Sequence, residues 1–113
     1  VGTGTYSAFA YNPTGSPWTF TGGAGVAGNG SGFTSGNPAA PQGTQVAFLQ
    51  DAGSAVSQAV AFTTGTYTIS FLAAQRQNYQ PAGSQTINVL VDGAVVGSIT
   101  PTGTGYSLYT AGT

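Results

Sequence analysis

The chain has 113 residues, enough for one domain with a core and too few for two ordinary ones. Charged residues make up only 3 % of it, and Asp51, Arg76 and Asp92 are the whole inventory apart from tyrosines and termini. One arginine cannot neutralise the several phosphates that nucleic-acid affinity requires, and the absence of cysteine and histidine removes thiolate zinc sites, cysteine nucleophiles and histidine-activated serines.

The first strands in chain order are weak ones at Tyr6 to Tyr11 and Trp18 to Thr21. Residues 24–44 are rich in Gly and Pro and read as a long loop with at most one short strand. Its opening segment, Gly23-Ala24-Gly25-Val26-Ala27-Gly28, matches the G-x-G-x-x-G string of dinucleotide-binding proteins. That fingerprint needs a helix to follow, and Asn29-Gly30-Ser31-Gly32 follows instead. Gln45 to Gln50 and Ser54 to Phe62 read as two strands joined through Asp51-Ala52-Gly53 in a tight hairpin.

The clearest strand runs from Gly65 to Ala73, with Tyr67, Ile69, Phe71 and Ala73 on one face and Thr66, Thr68 and Ser70 on the other. Gln85 to Val91 and Ala94 to Ile99 flank Asp92-Gly93, the strongest short-range hairpin signal, because both central residues of a type I′ turn need positive φ. A two-residue loop sets Val91 opposite Ala94 and Val89 opposite Val96. Tyr106 to Thr110 supplies a last strand. No window shows sustained helical periodicity and glycines interrupt nearly every stretch long enough for a helix, so the expected class is all-β: an antiparallel β-sandwich of jelly-roll topology, one domain over 1–113.

No apolar run approaches the ~18 residues of a membrane-spanning helix, and no basic segment followed by an apolar one opens the chain. The surface must be made polar by Ser, Thr, Asn and Gln, a composition associated with secreted and surface bacterial proteins, so a secreted or cell-surface location is expected.

The segment Gly65-Thr66-Tyr67-Thr68-Ile69-Ser70-Phe71-Leu72-Ala73-Ala74-Gln75-Arg76, followed by Gln85-Thr86-Ile87-Asn88-Val89-Leu90-Val91-Asp92-Gly93, resembles the galactose-binding-like jelly-roll domains of secreted bacterial proteins. Pro17-Trp18-Thr19-Phe20, Gly23-Ala24-Gly25-Val26 and Gly43 to Gln50 are similar to earlier segments of the same domains. The resemblance implies a carbohydrate-binding-module-like domain associated with polysaccharide. Such domains usually carry a further strand at each end, so the chain reads either as a fragment or as a unit whose sheet a neighbouring copy completes through open edges.

The candidate ligand-binding residues are Gln75, Arg76, Asn78, Tyr79, Phe33 and Trp18. Gln75 to Gln80 gathers planar amides and the only cation around an aromatic, the mixture that sugar recognition uses: amides and guanidinium bridge hydroxyls while a ring covers the C–H face. The bland alternative pairs Arg76 with Asp51 or Asp92 and leaves the glutamines solvating a loop. Phe33 lies in a loop of Gly, Ser and Thr with little structural need for a ring; Tyr11 is a further stacking candidate. Trp18 reads either as core beside Phe20 or as a platform. No catalytic residue is assigned: glycoside cleavage needs two facing carboxyl groups, and Asp51 and Asp92 both read as turn residues. No cofactor is expected; two separated aspartates could at most assist carbonyls around one calcium ion. Asn29-Gly30-Ser31 is a glycosylation sequon, whereas Asn12-Pro13-Thr14 is barred by its proline. The function expected is non-catalytic binding of an extracellular polysaccharide; the alternative is a structural subunit of a fibre or surface layer that self-associates through sheet edges.

Overall fold

The structure is a computed structural model that describes residues 1–77 and 85–112. Among these residues there is no helix, and every strand pairing is antiparallel, an all-β arrangement consistent with a β-sandwich. The strands are β1 (Phe9–Tyr11), β2 (Thr19–Thr21), β3 (Ala24–Gly28), β4 (Gln45–Leu49), β5 (Ala55–Ser57), β6 (Thr68–Ala73), β7 (Ile87–Val91), β8 (Ala94–Ile99) and β9 (Ser107–Gly112). They form a three-stranded sheet in the order β1-β3-β4 and three pairs, β2-β5, β6-β9 and β7-β8. The pairings are nested: β2 with β5 embraces β3 with β4, and β6 with β9 embraces β7 with β8.

The second nested unit follows its sequence closely. Ile69, Phe71 and Ala73 of β6 turn inward while Thr68, Ser70 and Leu72 face out, as the period-two alternation predicts. Asp92 and Gly93 both have positive φ, 50° and 81°, the backbone that a type I′ turn demands. Val91 pairs with Ala94 as expected, but a bulge between Val89 and Leu90 sets Val89 opposite Gly97 rather than Val96. The shift matters for packing, because a β-carbon at position 97 would lie 2.9 Å from that of Ala111 on β9. The bulge thus brings a residue without a side chain to the place where β8 crosses β9.

The first unit departs further from expectation. Residues 24–28, in the stretch read as a long loop with at most one short strand, supply that strand, and it is the central and most buried one of the three-stranded sheet. Ala24-Gly25-Val26-Ala27-Gly28 carries no alternation because both of its faces are covered. A β-carbon on Gly25 would strike the Ala10 carbonyl oxygen and come within 2.8 Å of Phe48 Cζ. The hairpin expected through Asp51-Ala52-Gly53 is also corrected. Ser54 N donates to Asp51 O at 3.1 Å, so the chain does turn there, but β4 pairs with β3 and β5 pairs with β2. The cause is the neighbouring corner: Gln50 N donates to Gly23 O at 3.0 Å, and Gly23 N donates to Ser54 Oγ at 2.8 Å. The two bends lie side by side, so a two-stranded ribbon passes from one sheet into the other.

The same device recurs in the second unit. Gln75 N donates to Gly103 O at 2.9 Å, where the paired β6 and β9 give way to β7 and β8. The Gln75 side-chain amide also donates to the carbonyl of Pro101, which is fully buried.

Candidate functional site

The stretch 75–77 was expected to present its amides and its cation to a ligand, and the structure turns most of them inward. Asn37 Nδ2 donates to the carbonyls of Gln75 (2.7 Å) and Thr104 (2.8 Å), and its Oδ1 accepts from Gln77 N at 3.2 Å. Arg76 N donates to Gln85 Oε1 at 3.0 Å. The Arg76 guanidinium lies 4.3 Å above the centre of the Phe33 ring and donates from Nη2 to Gly32 O at 2.8 Å. A cation seated on a partly desolvated ring is held by the ring quadrupole, an attraction of about 1–2 kcal/mol. This contact differs from the pairing with Asp51 or Asp92 given as the alternative. Gln75 and Arg76 tie the second unit to the aromatic cluster of the first.

That cluster is what Phe33 belongs to. The Phe33 ring is 7 % exposed, stacked on Phe48 at 3.9 Å and 15°, and met edge-on by Phe9 at 5.0 Å and Tyr11 at 6.0 Å. It is therefore corrected from a loop platform to a core residue. The loop of Gly, Ser and Thr around it is a compact turn. Buried Ser31 accepts from Phe33 N through its side chain (3.3 Å), and Thr34 Oγ1 donates to Gly28 O at 2.6 Å. Tyr11 keeps an exposed edge, with its hydroxyl donating to Gln50 Oε1. Ser31 of the sequon is fully buried, and Asn29 Oδ1 accepts from Ala40 N at 2.9 Å, so this tripeptide is part of the fold. Asn78 and Tyr79 lie outside the described residues.

Trp18 stands apart from this joint. It immediately precedes β2, and its backbone N donates to Ser16 Oγ at 3.2 Å, which fixes the residue just before the ribbon begins. Its side chain is 48 % exposed, so the core reading of this tryptophan fails. The ring borders a cleft of about 310 Å³ where the β2-β5 ribbon lies against β3 and β4, lined by Phe20, Val26, Ala47 and Val56 on the apolar side and Ser16 and Gln45 on the polar side. No ionisable side chain lines it. Sequence reasoning missed Ser16, Gln45, Val26 and Val56 because they come together only through the crossover pairing of β2 with β5. The signal available was the i, i+2 relation of Trp18 to Phe20, which places both on one face of the ribbon.

The carboxylates are elsewhere and apart. Asp51 sits at the corner beside Gly23, where a β-carbon would meet its Oδ2 at 2.6 Å, and Asp92 occupies the β7-β8 turn. No group of three or more metal-ligating side chains occurs among the described residues. Burial raises the Tyr106 hydroxyl above its ordinary pKa, which keeps it neutral at physiological pH. No protein-family model, no curated protein and no solved structure matches the chain.

Proposed function

We propose that the chain is a non-catalytic carbohydrate-binding module of a secreted or cell-surface protein, related to the galactose-binding-like jelly-roll domains that its strand sequences resemble. The observation that carries this reading is the exposed Trp18 ring over an uncharged cleft with an amide and a hydroxyl at its edge. A pyranose has the matching character: a C–H face that packs on an aromatic ring and hydroxyls that bond neutral polar groups. The nested ribbons support the jelly-roll part of the reading, since such folds are built from paired strands that bend together between two sheets.

A second reading, self-assembly of an extracellular structure, has its own support. The outward cross-strand pairs Leu72/Leu108 and Leu90/Val95 are 48–65 % exposed, paired apolar surface rather than scattered single side chains.

Affinity electrophoresis in gels containing neutral plant, algal and microbial polysaccharides tests the first reading. Retardation in at least one gel, lost in Trp18→Ala, is the expected result. No retardation in any gel, together with sedimentation of concentrated protein as an oligomer, hands the function to the second reading.

A further inference from the structure

The Trp18 cleft does not end at Ser16. A second cavity of about 220 Å³ adjoins it, sharing Ser16, Val26 and Gln45 and lined further by Val1, Pro13, Thr14 and Gly15. Neither cavity is lined by an ionisable side chain. Both linings mix apolar and polar groups: rings and aliphatics with Ser16 and Gln45 in the first, and Val1, Pro13 and Val26 with Thr14, Ser16 and Gln45 in the second. The first cavity alone is at the lower limit of ligand-sized clefts, which run from about 300 to 1,000 Å³. A ligand that fills both has to be extended.

We infer, on the strength of the glycan-binding reading, that this continuous groove takes two or more consecutive units of a neutral polysaccharide chain, one ring stacked on Trp18 and the next held over Ser16, Gln45 and Thr14. Neutrality follows from the lining. A uronic acid or sulfated sugar brought here would lose hydration with no lysine, arginine or histidine side chain in the lining to replace it, because Arg76, the only Lys or Arg of the chain, is engaged with Phe33 and Gly32. Length follows from the shared wall: a single ring on Trp18 leaves Thr14 and Gly15 unused. The Thr14 hydroxyl then contributes a hydrogen bond that exists only for a chain.

Trp18 is the only tryptophan, so its fluorescence reports occupancy without a label. The experiment titrates the full chain with mono-, di- and trisaccharides of whichever neutral polysaccharide retards it, and with uronic acid oligomers of equal length. Affinity is expected to rise at least about tenfold from one unit to three, a gain on the order of one good hydrogen-bonded contact set. Thr14→Phe, an exposed position that lines only the second cavity, should return the trisaccharide to the affinity of the shorter sugar while the tryptophan response persists. Gln45→Ala should produce a smaller loss of the same kind.

Equal affinity for one and three units overturns the inference, as does preference for the acidic oligomers. So does gel retardation that Trp18→Ala and Thr14→Phe both leave intact, which moves the glycan to another face while the glycan-binding reading stands. Retardation by no glycan removes that reading itself.

Discussion

In the unit bounded by β2 and β5, the inner strands β3 and β4 are joined through residues 29–44 and pair without a bulge; in the unit bounded by β6 and β9, the inner strands close through Asp92-Gly93 and are bulged. Both units nonetheless solve the same problem, that of carrying a two-stranded ribbon from one sheet to another with its bends side by side. The first secures the bends with Ser54 against Gly23, the second with Gln75 against Gly103 and Pro101. The difference lies in the range of the interactions. The second unit is built from local signals, alternation and a turn dipeptide, whereas the first is built from close approach of backbones distant in sequence.

The largest expected effect tests that contrast directly. Gly25→Val inserts a branched side chain where the Ala10 carbonyl and the Phe48 ring already stand. The expected loss exceeds about 4 kcal/mol, comparable with the whole stability of a marginal domain. Ser70→Val, at an exposed position on β6, should change stability by less than about 0.5 kcal/mol. Urea unfolding of both variants decides the matter: a loss under about 1 kcal/mol in Gly25→Val would mean that β3 is not packed on both sides.

The same contrast explains how much of the molecule could be read in advance. The strand expected over Gly65–Ala73, which forms at Thr68–Ala73, the hairpin turn at Asp92-Gly93 and the all-β class follow from patterns within a few residues. The strand Ala24–Gly28 does not, because small residues that permit close packing look like loop residues until their neighbours are known. The site divides in the same way. Residues 75–76 stand out for their chemistry, and the structure brings that chemistry against Asn37, Pro101, Phe33 and Gly32, partners that no local pattern names. Phe33 has little local need for a ring in its polar loop, yet it centres the aromatic cluster because Ser31 and Thr34 shape that loop from within. Trp18 was named, but the groove beside it depends on the pairing of β2 with β5, which no local pattern encodes.

A second and smaller effect is expected at the joint between the units. Arg76→Met keeps an unbranched apolar side chain over Phe33 but removes the cation and the bond to the Gly32 carbonyl. The expected cost is about 1–3 kcal/mol by chemical denaturation. Glycan retardation measured well below the unfolding midpoint should be unchanged. Retardation lost at undiminished stability would return Arg76 to the ligand site and make the inward contacts incidental.

The smallest effect is expected at the feature most legible in the sequence. Gly93 has φ of 81° and open space around it, so Gly93→Ala meets no neighbour and costs only the strain of a left-handed backbone, about 1 kcal/mol. Asp92→Asn, at φ of 50°, should be nearly neutral, because Asn accepts that conformation at least as readily. If Gly93→Ala proves as damaging as Gly25→Val, the turn carries more than left-handed strain, and a loss that appears mainly as slower refolding would place the β7-β8 hairpin in the folding nucleus. A local signal can therefore be the easiest to recognise and still contribute less stability than a glycine whose importance appears only when two distant backbones meet.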